Sequence, residues 1–491
     1  MSEERSSYRQ IVKATSLFGG VQIFNILIKV IQAKFIAILL GPTGMGIAGL
    51  LTSTIGVIES VTNFGLRTSA VKNVATENGT GNITRVSIVV KVLRRLVWIT
   101  GSLGMIVTIA LSPWLSEMAF GNRDYTYAFM WISVSLLFTQ ISSGQQVVLQ
   151  GMRKLKHIAK ATLIGSSLGL IITVPLYYWL GINGIVPAIV ITSLIALFGS
   201  WYFSRKVELE KVEVSKQQTI AEGKGMLIMG FMISFTGIYA TIRFYLLRIF
   251  IRNIGGIAQV GLYNAGLNII NIYAGLIFSA MTTDYYPRLA AVAHDNIETK
   301  KLINQQAIIA LLLLGPLMAI FVVFSRWILI LLYSNRFLDI GLMLQWASLG
   351  MLFRAASWSI SFVFMAKGDA SLFFKNEFIA GLFSFSLYLL GYYLNSLTGI
   401  GIAFLVFYFY YTVQVYIIAK WKYEFGFTFD FIRIFIIQMS FLVLTFVLFS
   451  IFKAPWSYII GTFLIAFSGL FSFKELDKRI GIKELLSKFK K

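Results

Sequence analysis

Residues 29–51 read KVIQAKFIAILLGPTGMGIAGLL, and this stretch decides the class of fold. Two apolar runs lie on either side of GPTG, which is typical of a tight turn between two membrane-spanning helices. Lys29 and Lys34 lie inside the first run, where a lysine at mid-bilayer costs on the order of 2.5–3.5 kcal/mol. That cost predicts that both side chains face a protein interior or a wet cavity rather than lipid.

Composition extends the membrane prediction to the whole chain. Of its 491 residues, 57% are hydrophobic and 13% are charged, and the mean hydropathy is +0.77. A soluble domain carries roughly 25% charged residues, so this chain lacks the polar surface that a water-soluble globule of its size needs. Apolar runs of about 18 residues or more recur from end to end, and the alternation of a β-barrel is absent. We therefore predict an all-α polytopic membrane protein.

The apolar runs predict fourteen transmembrane helices separated by short turns or basic loops. The tight, uncharged connections include GPTG and GING, whereas the stretch from Arg205 to Lys224 is long and charged. The predicted bounds are 16–40, 43–66, 91–112, 125–144, 158–179, 182–203, 226–251, 258–283, 303–325, 338–366, 372–394, 398–419, 430–452 and 455–473.

The net charge of +22 predicts an orientation rather than a nucleic-acid partner. Most of the 43 Lys and Arg residues fall in alternate loops once the N-terminus is placed in the cytoplasm. Because basic loops stay on the cytoplasmic side, both termini are predicted to be cytoplasmic. The tail 474–491 then reads either as a basic amphipathic helix on the inner leaflet or as a solvated segment. The chain has no cysteine, which excludes disulfides and thiolate metal sites.

An internal repeat appears when the chain is shifted against itself by 215 residues. Gly41 and Gly46 then fall on Gly256 and Gly261, and Tyr177-Tyr178 falls on Tyr392-Tyr393. The direction of the spans is the same in both copies, which predicts two six-helix lobes related by a parallel repeat. The predicted parts are an N-lobe 1–204, a cytoplasmic linker 205–225, a C-lobe 226–421, two additional helices within 422–473, and the basic tail 474–491.

Ionisable residues inside the predicted spans mark the candidate binding site. Lipid-facing placement is costly, so these side chains are expected to face a bundle interior or a wet cavity. Five of the six are cations, and the single carboxylate cannot neutralise them all. A cavity with surplus positive charge is predicted to bind an anion. The six residues are Lys29, Lys34, Glu59, Arg243, Arg248 and Arg354.

Each charge also has a local interpretation that the sequence leaves open. Lys34 can extend toward the interface, and Lys29 can pair with Glu59 one helix away. Glu59 is also the candidate for coupling to a proton or sodium gradient. No enzyme is predicted, because the two histidines, His157 and His294, lie in separate loops without metal-ligand spacing and no catalytic triad appears.

Four segments resemble Wzx-type flippases, the O-antigen and enterobacterial-common-antigen translocases of the multidrug/oligosaccharidyl-lipid/polysaccharide (MOP) exporter superfamily. They are LLGPTGMGIAGLL at 39–51, AFGNRDY at 119–125, LLYSNRF at 331–337 and FVFMAKGDASLFF at 362–374. The resemblance covers roughly residues 10 to 420. It does not extend to the last two predicted helices.

The resemblance implies a MATE-like fold and a carrier in the bacterial inner membrane, of the lipopolysaccharide type of pathway. Such a carrier flips undecaprenyl-diphosphate-linked oligosaccharide from the cytoplasmic to the periplasmic leaflet by alternating access, without a cofactor. The family pattern places basic residues at Lys34, Arg248 and Arg354, whereas Lys29, Arg243 and Glu59 match no pattern. A polysaccharide polymerase and a chain-length regulator are the implied protein partners.

Three other functions stay open at this point. A MATE-like cation or drug antiporter needs acidic residues in its lumen, and Glu59 is the one available. A peptidoglycan lipid-precursor flippase shares the diphosphate carrier, so the sequence separates it poorly. A membrane-embedded glycosyltransferase or ligase needs catalytic carboxylates at a membrane surface, and the outer loops offer Glu117, Asp124 and Asp339.

Overall fold

The computed structural model describes residues 2–481, with side chains described for residues 20–271, 275, 277, 278, 281, 284–479 and 481. These residues form helices and turns, and no strand occurs among them. The thirteen α-helices are α1 Ser2–Leu39, α2 Gly41–Thr62, α3 Leu66–Gly79, α4 Ile83–Phe120, α5 Thr126–Gly151, α6 Leu155–Leu180, α7 Ile185–Ser204, α8 Lys216–Ala291, α9 Asn296–Leu332, α10 Gly341–Ala366, α11 Ala370–Tyr423, α12 Phe429–Ile451 and α13 Trp456–Ile480.

Every predicted helix corresponds to a helical segment of the structure. Two helices each contain two predicted spans, because α8 is interrupted at Gly256 and α11 at Asn395 and Ser396. The short helix α3 was not predicted. It buries Leu66, Ala70 and Val74 on one face. This helical spacing is visible in the sequence, but the segment is too polar for a membrane span and was therefore assigned to a loop.

The predicted membrane class is confirmed. Ten segments of the described chain are long and apolar enough to cross a membrane, and two of them contain two predicted spans each. These two are Leu155–Ser204 and Ala370–Tyr423, whereas Lys216–Asn271 contains one predicted span and the first part of the next. Helix α5 matches a predicted helix but is not among the ten, because it is rich in serine and glutamine.

The polar side chains of α5 are satisfied inside the bundle. Gln140 donates from Nε2 to Thr100 Oγ1 of α4 at 2.8 Å. Ser200 of α7 donates to Gln145 Oε1 at 2.6 Å and also lies 3.0 Å from Ser142 Oγ. Since buried polar groups are costly unless they are hydrogen-bonded, these contacts make α5 compatible with a membrane bundle only beside α4 and α7.

Backbone geometry follows the 215-residue repeat. Gly181 has φ 56° and ψ −131°, and Ser396, which lies 215 residues later, has φ 45° and ψ −135°. Tyr178 is 72% exposed and its counterpart Tyr393 is 71% exposed. Equivalent positions in the two copies therefore share an unusual turn and the same exposure, although a glycine occupies the turn in one copy and a serine in the other.

The chain folds into two compact units that divide between Gly261 and Leu262. The first segment of α8 thus belongs to the same compact unit as α1–α7. Compactness does not test the predicted repeat boundaries, so the division into a 1–204 lobe, a 226–421 lobe and the helices of 422–473 stays a prediction. Helix α13 continues to Ile480, and residues 482–491 of the predicted tail lie outside the described residues.

The predicted linker is not a free connection. Its residues 205–215 pack along the start of α4, with Val207 and Val214 buried in the same apolar cluster as Val90. Polar contacts complete this packing, since the backbone N–H of Glu210 donates to Ser87 Oγ at 2.9 Å. Helix α8 begins at the end of this segment, ten residues before the predicted start of its span.

Candidate functional site

One face of α1 carries a row of polar side chains that includes Lys29. Asn25, Lys29 and Gln32 are spaced four and three residues apart, so they lie on the same side of the helix. Ser166 of α6 donates to Asn25 Oδ1 at 2.8 Å, which orients this face toward α6. Lys29, which the sequence predicted to avoid lipid, thus lies on a helix face with other polar side chains.

Lys29 lines a cavity of about 300 Å³ inside the first compact unit. Helices α1, α5, α6 and α7 enclose it, and its lining contains one cation and no carboxylate. Amide and hydroxyl groups can donate to and accept from sugar hydroxyls, while an ammonium binds phosphate oxygens. We call this space the Lys29 cavity; its polar lining residues are Lys29, Gln32, Gln146, Thr162, Ser166 and Thr192.

The structure does not join Lys29 to Glu59. Among the described residues, neither side chain lies within 4.0 Å of an opposite charge. Glu59 is half-buried in α2, and the charge that acts on it is Arg67 at the start of α3. Lys29 therefore lines its cavity without an internal ion pair to Glu59.

Three further cations lie in the same compact unit. Lys34 is half-buried in α1, five residues after Lys29. Arg243 of α8 stacks over the ring of Tyr239 at 4.5 Å, and Arg248 donates from Nη1 to the carbonyl of Phe244 at 3.0 Å. Both arginines are half-buried. Both guanidinium groups thus contact their own helix.

Arg354 is the predicted site residue that belongs to the second compact unit. Its guanidinium lies 5.3 Å from the ring of Phe278 in α8 and 5.5 Å from that of Tyr408 in α11. In the described chain no carboxylate lies within ion-pairing distance of it. Aromatic rings attract a cation without neutralising it, so these two contacts leave the charge of Arg354 in place.

A buried polar network in α11 was missed by the sequence reasoning. The hydroxyl of Tyr411 donates to Glu377 Oε1, and Asn376 donates to that hydroxyl at 3.2 Å. Gln414 in turn donates to Asn376 Oδ1 at 2.8 Å. Glu377 is the sixth residue of the predicted span 372–394, and that position was the available signal for a second intramembrane carboxylate.

Comparison with known families identifies the family to which this chain belongs. A family model described as "Polysaccharide biosynthesis protein" matches residues 35–342, which is most of the chain. The match includes Glu59, Arg243 and Arg248, and it ends before Arg354. No curated protein is similar enough in sequence to match this chain.

Solved structures confirm the predicted MATE-like fold. An inward-facing multidrug resistance MATE family transporter of the MOP superfamily superposes with a TM-score of 0.68 at 15% identity, covering 82% of this chain and 94% of that one. The lipid II flippase MurJ in an inward closed conformation gives 0.68 at 15% identity, covering 94% and 99%. A MOP superfamily transporter from Pyrococcus furiosus gives 0.58 at 14% identity, covering 84% and 96%. Identities this low establish the fold and nothing finer.

Proposed function

This chain belongs to the polysaccharide biosynthesis protein family, and we propose that it is a flippase for lipid-linked oligosaccharide. The proposed substrate is an undecaprenyl-diphosphate-linked repeat unit of O-antigen or a similar surface polysaccharide. The proposed movement is from the cytoplasmic to the periplasmic leaflet of the bacterial inner membrane, by alternating access. Both termini are placed in the cytoplasm by the same proposal, which rests on the distribution of basic residues.

The Lys29 cavity is the observation that carries the proposal. It combines an ammonium with neutral amide and hydroxyl groups and has no carboxylate in its lining. A transporter of organic cations needs the opposite charge at its binding site, so this lining favours an anionic, hydroxyl-rich substrate. A sugar diphosphate meets both requirements, because its phosphates carry the charge and its sugars supply the hydroxyls.

Moving a diphosphate across the bilayer would explain why a flippase has cations within its membrane-spanning helices. A diphosphate carries about two negative charges, and moving such a group through hydrocarbon without a partner costs many kcal/mol. Lys29 and Lys34 would act as point charges, whereas Arg354 would offer bidentate hydrogen bonds. Arg243 and Arg248 would add charge along α8. The polyprenyl chain needs no polar lining and would stay in lipid.

A peptidoglycan lipid-precursor flippase is the second candidate. The lipid II flippase MurJ superposes on 94% of this chain, which shows that the two share a fold. The same diphosphate chemistry would serve either substrate. The family match favours a polysaccharide precursor, and the glycan is therefore what distinguishes the two candidates.

Coupling to an ion gradient is a further element of the proposal. Glu59 and Glu377 are intramembrane carboxylates, and each could take up a proton or contribute to a sodium site. Glu377 has the more developed surroundings, with Tyr411, Asn376 and Gln414 in one hydrogen-bonded chain.

The decisive experiment measures lipid-linked oligosaccharide on each leaflet of cells that carry single variants. Lys29→Met should leave the protein inserted but weaken diphosphate binding by roughly ten- to a hundredfold, the effect of losing one charge-assisted contact. Lys29→Arg should keep partial export because it keeps the charge. Lys34→Met, Arg248→Gln and Arg354→Gln test the remaining cations in the same assay.

Lys72→Met is the matched control, because Lys72 is an exposed cation on α3. It removes one positive charge of the same type and should export normally. Protein level in the membrane is measured for each variant, so that lost export is not confused with lost protein. Normal export with Lys29, Lys34, Arg248 and Arg354 all neutralised would contradict the proposed anion-binding mechanism.

A further inference from the structure

A second cavity of the first compact unit lies between α4, α5 and α7 and shares no lining residue with the Lys29 cavity. Its volume is about 570 Å³, within the range of roughly 300–1,000 Å³ that small-molecule sites occupy. Two arginines and two tryptophans are part of an otherwise mostly apolar lining. We call it the Arg–Trp groove and define it by Arg94, Trp98, Leu137, Phe198, Trp201 and Arg205.

At each of two antiparallel helices the groove has one arginine near the end of the bundle and one tryptophan farther inside. On α4, Arg94 precedes Trp98 by four residues, and Trp201 of α7 precedes Arg205, the residue just after α7, by four. Helix α7 runs opposite to α4, so both arginines lie toward the same end of the bundle. Each tryptophan lies one helical turn, about 6 Å, deeper than its arginine. The groove therefore has a cationic end, an aromatic level and an apolar interior.

The side chains that define the groove are open to the outside of the bundle. Trp98 is 55% exposed, Trp201 is 47% exposed and Phe198 is 59% exposed. In a membrane-spanning protein such apolar exposure faces lipid, and tryptophan prefers the level just below the headgroups. Helices α4 and α5 pack closely beside the groove, because a β-carbon on Gly144 of α5 would lie 2.8 Å from the side chain of Val97.

The arginines of the groove keep their charge for an external partner. In the part of the chain with described side chains, neither Arg94 nor Arg205 forms an ion pair with a carboxylate. Arg205 lies over the ring of Trp201 at 4.8 Å, which fixes its guanidinium without neutralising it. Two unneutralised cations above an apolar groove are complementary to a molecule with an anionic head and an apolar tail.

We propose that the Arg–Trp groove binds an anionic phospholipid of the surrounding membrane, of the phosphatidylglycerol class. The phosphate would accept hydrogen bonds from Arg94 and Arg205, and the glycerol would lie at the level of Trp98 and Trp201. One acyl chain would then follow Leu137 and Phe198 into the bilayer. Basic pockets between transmembrane helices are known to select anionic headgroups in this way. This lipid is a resident ligand rather than the transported substrate.

The test measures lipid binding to the full-length protein in nanodiscs of phosphatidylcholine, with and without phosphatidylglycerol carrying brominated acyl chains. Bromine quenches the fluorescence of nearby tryptophan, so brominated phosphatidylglycerol should quench more than brominated phosphatidylcholine at equal mole fraction. The excess quenching should disappear in the double variant with Trp98→Phe and Trp201→Phe. That result locates the lipid in the groove rather than elsewhere on the protein.

The charge requirement is tested with a second pair of variants. The double variant with Arg94→Gln and Arg205→Gln should bind phosphatidylglycerol at least about tenfold more weakly, since each charge-assisted contact contributes about that factor. The matched control with Lys72→Gln and Lys301→Gln also removes two exposed cations, and it should bind as the wild type does. Replacement of both arginines by lysine should retain part of the preference.

Two results would overturn the proposal. Equal quenching by brominated phosphatidylcholine would show that the groove holds any lipid and selects no headgroup. Displacement of phosphatidylglycerol by an equimolar polyprenyl phosphate would assign the groove to the transported lipid instead. Neither result depends on export, so failure here is separable from failure of the proposed flippase function.

Discussion

Gly46 lies directly against the carbonyl oxygen of Ile257, so closely that a β-carbon on this glycine would be 2.0 Å from that oxygen. The reciprocal contact joins Gly261 to the carbonyl of Pro42, at 1.9 Å from the corresponding β-carbon. Ile257 lies 215 residues after Pro42, as Gly261 does after Gly46. Each contact is therefore the image of the other under the sequence repeat, which explains why glycine occupies both positions.

Gly46→Ala and Gly261→Ala should each destabilise the protein by about 1–3 kcal/mol, because the added methyl group meets a backbone carbonyl that cannot move aside easily. Thermal unfolding of the purified protein in detergent measures the effect. Gly56→Ala is the control in the same helix as Gly46, where no atom lies within 4 Å of the new β-carbon. It should be neutral or slightly stabilising. Equal melting temperatures for all three variants would contradict the close packing.

Ser396→Gly should stabilise the protein, because serine at φ 45° occupies a region that favours glycine. The reverse change, Gly181→Ser, should destabilise it, since the equivalent turn has φ 56°. A residue held in such a conformation costs on the order of 1–3 kcal/mol. Both variants are compared with wild type by thermal unfolding. Effects of the same sign in the two variants would show that the two turns are not equivalent.

The contact between Arg354 and Tyr408 should be measurable as a coupling energy. Tyr408→Leu removes the ring, whereas Tyr408→Phe keeps it, so only the former should weaken the cation–π interaction. The expected coupling in a double-mutant cycle with Arg354→Gln is about 0.5–2 kcal/mol. Unfolding free energies of the single and double variants give this value. Additive effects would mean that the ring and the guanidinium do not interact.

The orientation in the membrane can be tested by cysteine labelling, since the native chain has no cysteine. Asn183, Asn395 and Lys216 are all exposed, so each replacement is accessible on its own side. A cysteine at Asn183 or Asn395 should react with an impermeant thiol reagent added to spheroplasts, and one at Lys216 should react only after the membrane is opened. Labelling at Lys216 in sealed cells would reverse the predicted orientation.

Asp369, in the turn before α11, should make the free energy of unfolding depend on pH in the acidic range. Tyr423 donates a hydrogen bond to Asp369, and Lys422 Nζ lies 3.0 Å from its Oδ1; together they hold the pKa of Asp369 below its ordinary value. A carboxyl with a lowered folded-state pKa stabilises the fold above its unfolded pKa of about 3.9 and loses that contribution as pH falls. Unfolding of wild type should therefore become easier below about pH 4, and Asp369→Asn should reduce this dependence. An unchanged pH profile would exclude the contribution.

Hydropathy and glycine spacing were sufficient to predict much of this fold. Every predicted helix is present, and the offset found from Gly41 and Gly256 is repeated in backbone geometry at Gly181 and Ser396. Helix α3 was not predicted because it is short and polar, and its burial depends on neighbours that sequence periodicity does not reveal. The packing of segment 205–215 against α4 was not predicted either, since these contacts join residues far apart in sequence.

The candidate site was predicted only in part. The cost of burying charge pointed to Lys29 and Arg354, but the hydroxyl and amide groups around Lys29 come from four helices. No sequence pattern shows that Gln146 and Thr192 meet in one cavity. The aromatic neighbours of Arg354 are similarly spread over α8 and α11. Placement of Lys34, Arg243 and Arg248 relative to a substrate stays a prediction.

Helix α5 also has a consequence for biogenesis. A segment with this many serine and glutamine residues gains little by leaving the translocon alone, because its polar groups would meet hydrocarbon. Thr100, the partner of Gln140, is synthesised before α5, but Ser200, the partner of Gln145, emerges about fifty residues later. Stable integration of α5 thus waits for α7, which is synthesised two helices later.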